Sequence, residues 1–193
     1  MLIRSLLILF ALSATFLSGA EKEIHYNGDH VKIKANQPAV GDIAPVVRVT
    51  ERDFSIKTIG GKSDRVQVLM TVPSIDMPVC SIESKRFDDE IKKFPNVDMT
   101  VVSMDLPYAD DRFCIGRGIE NITIASDFAY RDVGTKYSVS IIEGEHTGLL
   151  VRAVFVIGKS GKIVYQETGL CIHKEPDYAK VMNAIKMADA ASK

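Results

Sequence analysis

Hydrophobic residues fall along this chain in two rhythms: short β-branched runs, and longer stretches in which charges interrupt the apolar positions. The run RVQVLMTV (65–72) is almost continuously apolar, the pattern of a strand covered on both faces. VDMTVVSMD (97–105) repeats it, and NITIAS (121–126) is a third, shorter strand candidate. LLVRAVFVIG (149–158) and IVYQET (163–168) flank the turn KSGK and predict a β-hairpin. Between these runs, SIESKRFDDEIKKF (81–94) places Ile82, Phe87, Ile91 and Phe94 at helical spacings and stops at Pro95. DDRFCIGRG (110–118) predicts a short helix or helical turn, polar, exposed and mobile, and DFAYRDVGTKYSV (127–139) a further helix. EPDYAKVMNAIKMADAA (175–191) predicts the last helix, with Pro176 near its first turn and Val181, Ala184, Ile185 and Ala188 on one face.

Upstream, EKEIHYNGDHVKIK reads as two strands around the hairpin turn Asn27-Gly28. VVRVT (46–50) and FSIKTI (54–59) are two further short strands. Strand and helix then alternate before the closing hairpin and helix. That order predicts an α/β fold with a mixed central sheet: a parallel centre, an antiparallel edge and flanking helices.

The first twenty residues stand apart. MLIR is short and basic, SLLILFALSATFL is an apolar core, and LSGA supplies small residues before a cut. Residues 1–20 are therefore expected to be a signal peptide, and 21–193 a single domain. The apolar run is shorter than the ~20 residues of a membrane span, so no stable membrane anchor is expected. The expected location is outside the cytoplasm, in a bacterial periplasm. Charge is balanced, 24 Lys and Arg against 25 Asp and Glu, with no basic block, which argues against nucleic acid as a partner.

The chain has 3 cysteines, an odd number, so in an oxidising compartment at least one is free, reactive or joined to another molecule. Cys80, in TVPSIDMPVCSIESKRF, falls at the end of a buried strand and in the first turn of the following helix. Unpaired backbone N–H groups and the helix dipole favour a thiolate there. The same residue also suits a small buried hydrophobe. Cys114 lies 34 residues on. A Cys80–Cys114 disulfide would stabilise the fold by about 4 kcal/mol in the chain-entropy model. The pair also suits a redox cycle in which one thiol becomes a sulfenic acid and the other condenses with it. No C-x-x-C dithiol is present. Cys171, with His173 two residues on, is a weak metal signal and otherwise reads as a spectator or an intermolecular thiol.

The segments TVPSIDMPVC, SMDLPYADDRFC, NITIASDF, LLVRAVFVI and EPDY, in that order and spacing, resemble the thiol peroxidase (Tpx) branch of the peroxiredoxins over about residues 28–188. The resemblance implies a thioredoxin-like (peroxiredoxin) fold with an N-terminal β-hairpin and a homodimer. It implies a peroxidase that reduces hydrogen peroxide and organic hydroperoxides without cofactor or metal. Cys80 would attack the peroxide. Cys114 would resolve the sulfenic acid as an intramolecular disulfide, and a thioredoxin-like protein would reduce that bond. Arg152 matches the family's active-site arginine, and Pro73 the proline that shields the thiolate. One position departs from the family pattern: where Thr or Ser normally offers the thiolate a hydroxyl, this chain has Met77, which has no donor. Two other readings of the same residues are a thiol-disulfide relay and a Tpx-like scaffold with weakened peroxidase activity.

Overall fold

The computed structural model describes residues 20–26, 29–169 and 174–191. The expected signal segment short of Ala20, the Asn27-Gly28 turn, and Cys171 with His173 lie outside the described residues. Among the described residues, nine strands and four helices follow one another as β1 (Glu21–Tyr26), β2 (Asp29–Lys34), β3 (Val47–Glu51), β4 (Ile56–Ile59), β5 (Val66–Thr71), α1 (Pro78–Ile91), β6 (Val97–Ser103), α2 (Pro107–Arg117), β7 (Thr123–Ser126), α3 (Asp132–Lys136), β8 (Ala153–Ile157), β9 (Ile163–Thr168) and α4 (Tyr178–Ala190). Strands β3–β9 form one sheet in the order β4-β3-β7-β6-β5-β8-β9, and β1 pairs with β2 as a separate antiparallel hairpin. The centre, β5-β6-β7, is parallel. Antiparallel pairs close both sides, β8-β9 on one and β3-β4 on the other. This is the mixed α/β sheet that the sequence predicts.

Alternation along the central strands divides the core between the two faces of the sheet. Val68, Met70, Val101, Ile124, Val154 and Val156 face α1, α2 and α4, where Phe87, Ile91, Phe113, Val181 and Ile185 meet them. Leu69, Val102, Ala125, Phe155 and Ile157 face the other way, against Val133 and Tyr137 and the hairpin residues Ile24, Val31 and Ile33. Helix α1 buries the stripe Cys80, Glu83, Ser84, Phe87, Asp88 and Ile91. Ile82, expected on the inner face, is 59% exposed, so this helix buries carboxylates where an aliphatic residue was expected. Among the described residues, no helix is long and apolar enough to cross a membrane.

Several boundaries differ from expectation, each with a local cause. Strand β7 starts at Thr123 because the N–H groups of Glu120, Asn121 and Ile122 donate to the Asp88 carboxylate, at 2.9, 2.6 and 3.3 Å. Helix α3 is only Asp132–Lys136. The Asp127 side chain accepts from Val133 and Gly134 N–H, and Arg131 and Ser138 take positive φ at either end. Strand β8 starts at Ala153 because residues 149–151 pair instead with 139–141. Pro176 precedes the last helix, whose N-cap is Asp177, accepting from Lys180 N–H.

Asp88 makes a testable case of these tertiary bonds. Burial raises its carboxyl, but the backbone N–H groups of Asn121 and Glu120 and the Lys85 ammonium outweigh burial and hold it below 3.8. Its stabilising effect is therefore present above that pH and lost as pH falls through the depressed value. Asp88→Ala is expected to lower the unfolding free energy by about 2–4 kcal/mol at neutral pH. Denaturant titrations should show the difference between the two proteins shrinking toward pH 2. An equal deficit at both pH values would contradict the assignment.

Candidate active site

Strand β5 ends at Thr71, whose hydroxyl donates to the Val151 carbonyl at 2.7 Å, and the chain then crosses residues 72–77 to reach α1. This crossing loop is pinned by one carboxylate. Asp105 accepts from the Ile75 N–H at 2.8 Å, from the Ser74 hydroxyl at 3.0 Å and from the Ser103 hydroxyl at 2.8 Å. Pro73, predicted as a site residue, lies buried in this loop. Met77 is the N-cap of α1, with extended backbone and no side-chain capping bond, and Pro78 occupies the first turn. The first-turn N–H groups are therefore left without a side-chain acceptor next to Cys80, a favourable setting for an anion.

Cys80 is fully buried and unbonded to another sulfur. Arg152, in the residue before β8, is also buried, and its Nη2 donates to Cys80 Sγ at 3.3 Å. The guanidinium forms an ion pair with Glu83, whose side chain is completely buried. Glu83 stands one helical turn after Cys80 on the same face of α1, so one arginine from across the sheet meets both. Of the residues expected from the sequence, Cys80 and Arg152 are in contact and Pro73 lies in the adjoining loop, while Glu83 was not among those expected. The available signal was an acidic residue three positions after the cysteine, on the buried stripe. Near the same face of α1, Tyr178 of the EPDY segment packs on Phe87 with ring centroids 5.1 Å apart, and Arg86 covers its ring at 3.7 Å.

The departure at Met77 has a structural answer. Its thioether side chain is half-buried and packs against both halves of the core. Ser74, the nearest hydroxyl in the loop, does not replace the missing group: it donates to Asp105 and accepts from the Asp76 N–H at 3.2 Å.

Cys114 corrects an expectation. Its segment is an eleven-residue helix with the cysteine buried, where a short, exposed and mobile stretch was expected. Pro107 opens α2, Gly118 closes it in the left-handed conformation (φ 60°), and Asp110, Phe113 and Cys114 form its buried stripe. The thiol is pushed up to about 11 by burial, with the Arg52 guanidinium opposing the rise. Cys114 lines a cavity of about 630 Å³ together with Glu51, Arg52, Asp53, Ile119, Glu120 and residues 122–124, a lining that excludes Cys80 and Arg152. Both cysteines are free thiols here. Among the described residues, no group of three or more His, Cys, Asp or Glu side chains is arranged to hold a metal ion.

Known proteins match this chain over most of its length. The Redoxin family profile matches residues 39–182. A thiol peroxidase of Aquifex aeolicus is 46% identical over 165 residues, 86% of this chain and 97% of that one. A thiol peroxidase of Campylobacter jejuni is 44% identical over 158 residues, 82% of this chain and 89% of that one. The crystal structure of a peroxiredoxin-like protein from Aquifex aeolicus superposes with a TM-score of 0.83 at 44% identity, covering 88% of this chain and 99% of that one. With the thioredoxin-like sheet, and a helix-start cysteine held by a buried arginine, these matches identify the chain as a Redoxin-domain enzyme of the thiol peroxidase branch of the peroxiredoxins.

Proposed function

We propose that the chain reduces hydrogen peroxide and organic hydroperoxides with Cys80 as nucleophile and Cys114 as resolving thiol. The observation that carries the reading is the contact of Arg152 Nη2 with Cys80 Sγ in the buried interior. A cation fixed there by Glu83 favours the thiolate and the negative charge that develops on the peroxide oxygen. The thiolate attacks the terminal peroxide oxygen, the O–O bond breaks, and the departing alkoxide or hydroxide takes up a proton. Cys80 is left as a sulfenic acid. The Cys114 thiol then attacks that sulfur, forming the disulfide and releasing water. A thioredoxin-like dithiol returns both cysteines to thiols and is itself oxidised.

The exposed apolar residues Leu106, Tyr108 and Ile115 support a homodimer that covers them. The amino-terminal segment supports export to the periplasm, where the reductant must itself be an exported protein. One observation favours a slower peroxidase: no hydroxyl stands at position 77, and the Ser74 hydroxyl is committed to Asp105.

One equivalent of peroxide added to the reduced protein should yield a cross-linked pair of peptides containing Cys80 and Cys114, with a mass loss of two hydrogens. Cys114→Ser should instead accumulate a sulfenic acid that a dimedone probe captures. Peptide mass spectrometry decides between this cycle and a scaffold whose Cys80 stays unreacted. Met77→Thr should accelerate the peroxide step by up to about a hundredfold, the effect of one restored hydrogen bond of 1–3 kcal/mol. A stopped-flow rate unchanged by that substitution would remove position 77 from the account.

A further inference from the structure

Helix α2 buries a carboxylic acid that no residue satisfies. Asp110 has no solvent exposure, and neither of its carboxyl oxygens has a hydrogen-bond partner among the described residues. A buried acid ordinarily finds a donor, because an unpaired carboxylate in the interior is strongly disfavoured. Here the ionisable groups that bear on it make matters worse. Asp105 faces it from the turn before α2, and Asp76 from the loop before α1. Cys114 lies one turn further along the same helix face. Strand β7, on which α2 packs, offers only Thr123, Ile124, Ala125 and Ser126, none ionisable. Two cations stand nearby and are directed elsewhere. Arg112 reaches Asp76 at the surface, Nη2 to Oδ2 3.4 Å, and Arg52 from the β3–β4 turn is directed at Cys114.

The position of Asp110 matters because of what its helix carries. In this structure Cys114 is a free thiol inside α2, in a cavity that Cys80 does not line. A disulfide requires the two Cβ atoms to come within about 4.5 Å with a fixed torsion. Cys114 sits inside α2 with its carbonyl accepting from the Gly118 and Ile119 N–H groups, so moving its backbone toward Cys80 opens the end of that helix.

We propose that Asp110 is a positioning residue for disulfide formation: its buried, unpaired carboxyl makes the opening of α2, and so the release of Cys114, proceed with loss of a proton to water. The inference deepens the resolving role given to Cys114 and rests on that reading. Burial, with the Asp105 and Asp76 carboxylates adding to it, pushes the Asp110 carboxyl up to about 8, against an ordinary 3.8. Folded α2 thus holds a neutral acid at physiological pH, and opened α2 exposes the same group to water, where it ionises. The sign is fixed by linkage. A raised acid destabilises the closed helix progressively as pH climbs above the unfolded value, and the effect levels off once the closed form ionises too. Opening becomes easier between roughly pH 4 and pH 8, a window below that in which the Cys114 thiol itself titrates. The carboxyl that the fold leaves unpaired is a built-in bias toward releasing the resolving thiol.

The test is native-state hydrogen exchange of the reduced protein at residues 111–117, with opening constants corrected for intrinsic exchange at each pH. The wild type should show opening that rises about a hundredfold between pH 5 and pH 7 and levels off toward pH 8, while α4 changes little. Asp110→Asn should flatten that rise to within about threefold, because the amide keeps the shape and removes the proton. Asp76→Asn, which leaves Asp110 in place, should move the levelling to lower pH by withdrawing a like charge. A wild type whose α2 opening does not depend on pH overturns the inference, as does an Asp110→Asn profile parallel to the wild type's. Peptide mapping of the oxidised wild type judges the underlying reading separately. Proton-linked opening without any Cys80–Cys114 bond would defeat the resolving role and leave the helix behaviour established.

Discussion

A single buried guanidinium organises this molecule's chemistry. Arg152 enters from the sheet, beside β8, and meets two groups from α1, the Glu83 carboxylate and the Cys80 sulfur. All three are almost wholly removed from water, so neither Arg152 nor Glu83 can hold its charge there alone. Removing one partner of such a pair typically costs about 3–5 kcal/mol, because the charge left behind has no solvent to turn to. The constraint runs both ways. The helix must present residues 80 and 83 on its inner face, and the sheet must place residue 152 beneath them. The parallel β5-β6 centre and the antiparallel β8 seat beside β5 achieve this, since β5 leads directly into α1 and β8 runs back past its start.

A second carboxylate does for the backbone what Glu83 does for the arginine. Asp105 ties Ser74 and Ile75 to the end of β6, fixing the loop through which the chain enters α1. In doing so it takes up the one hydroxyl near Met77 in that loop. The contrast with Asp110 is instructive. Both acids flank the start of α2, yet Asp105 is fully engaged and Asp110 is buried without a partner among the described residues. One pins the loop that leads to Cys80, while the other sits in the helix that carries Cys114.

Much of this was legible in the chain. The β-branched runs at 65–72 and 97–105 gave the parallel centre, and the KSGK turn gave the β8-β9 hairpin. The family resemblance pointed to Cys80, Cys114 and Arg152, of which the structure brings Cys80 and Arg152 into contact. What was not legible is tertiary. Ile82 looked like a core residue and is exposed, whereas Glu83 and Asp88 looked like surface charges and are buried, because their partners come from residues 152 and 120–122. Likewise DDRFCIGRG is rich in charge, and local pattern alone pointed to an exposed, mobile segment. Its burial depends on the stripe Asp110, Phe113, Cys114 packing against β7, which periodicity over so short a helix does not reveal. Buried polar groups are where local reading fails, since a charge is normally assigned to solvent unless its partner is known.

The central claim is that the Arg152–Glu83 pair makes Cys80 a peroxide nucleophile, and the second-order rate constant of reduced Cys80 with hydrogen peroxide and with an organic hydroperoxide tests it most directly. A Cys114→Ser protein confines the measurement to the first oxidation. The account predicts a rate at least about a hundredfold above that of a free cysteine thiolate, the worth of roughly one preorganised donor at a reacting centre. A rate equal to that of the free thiolate with both peroxides would contradict it.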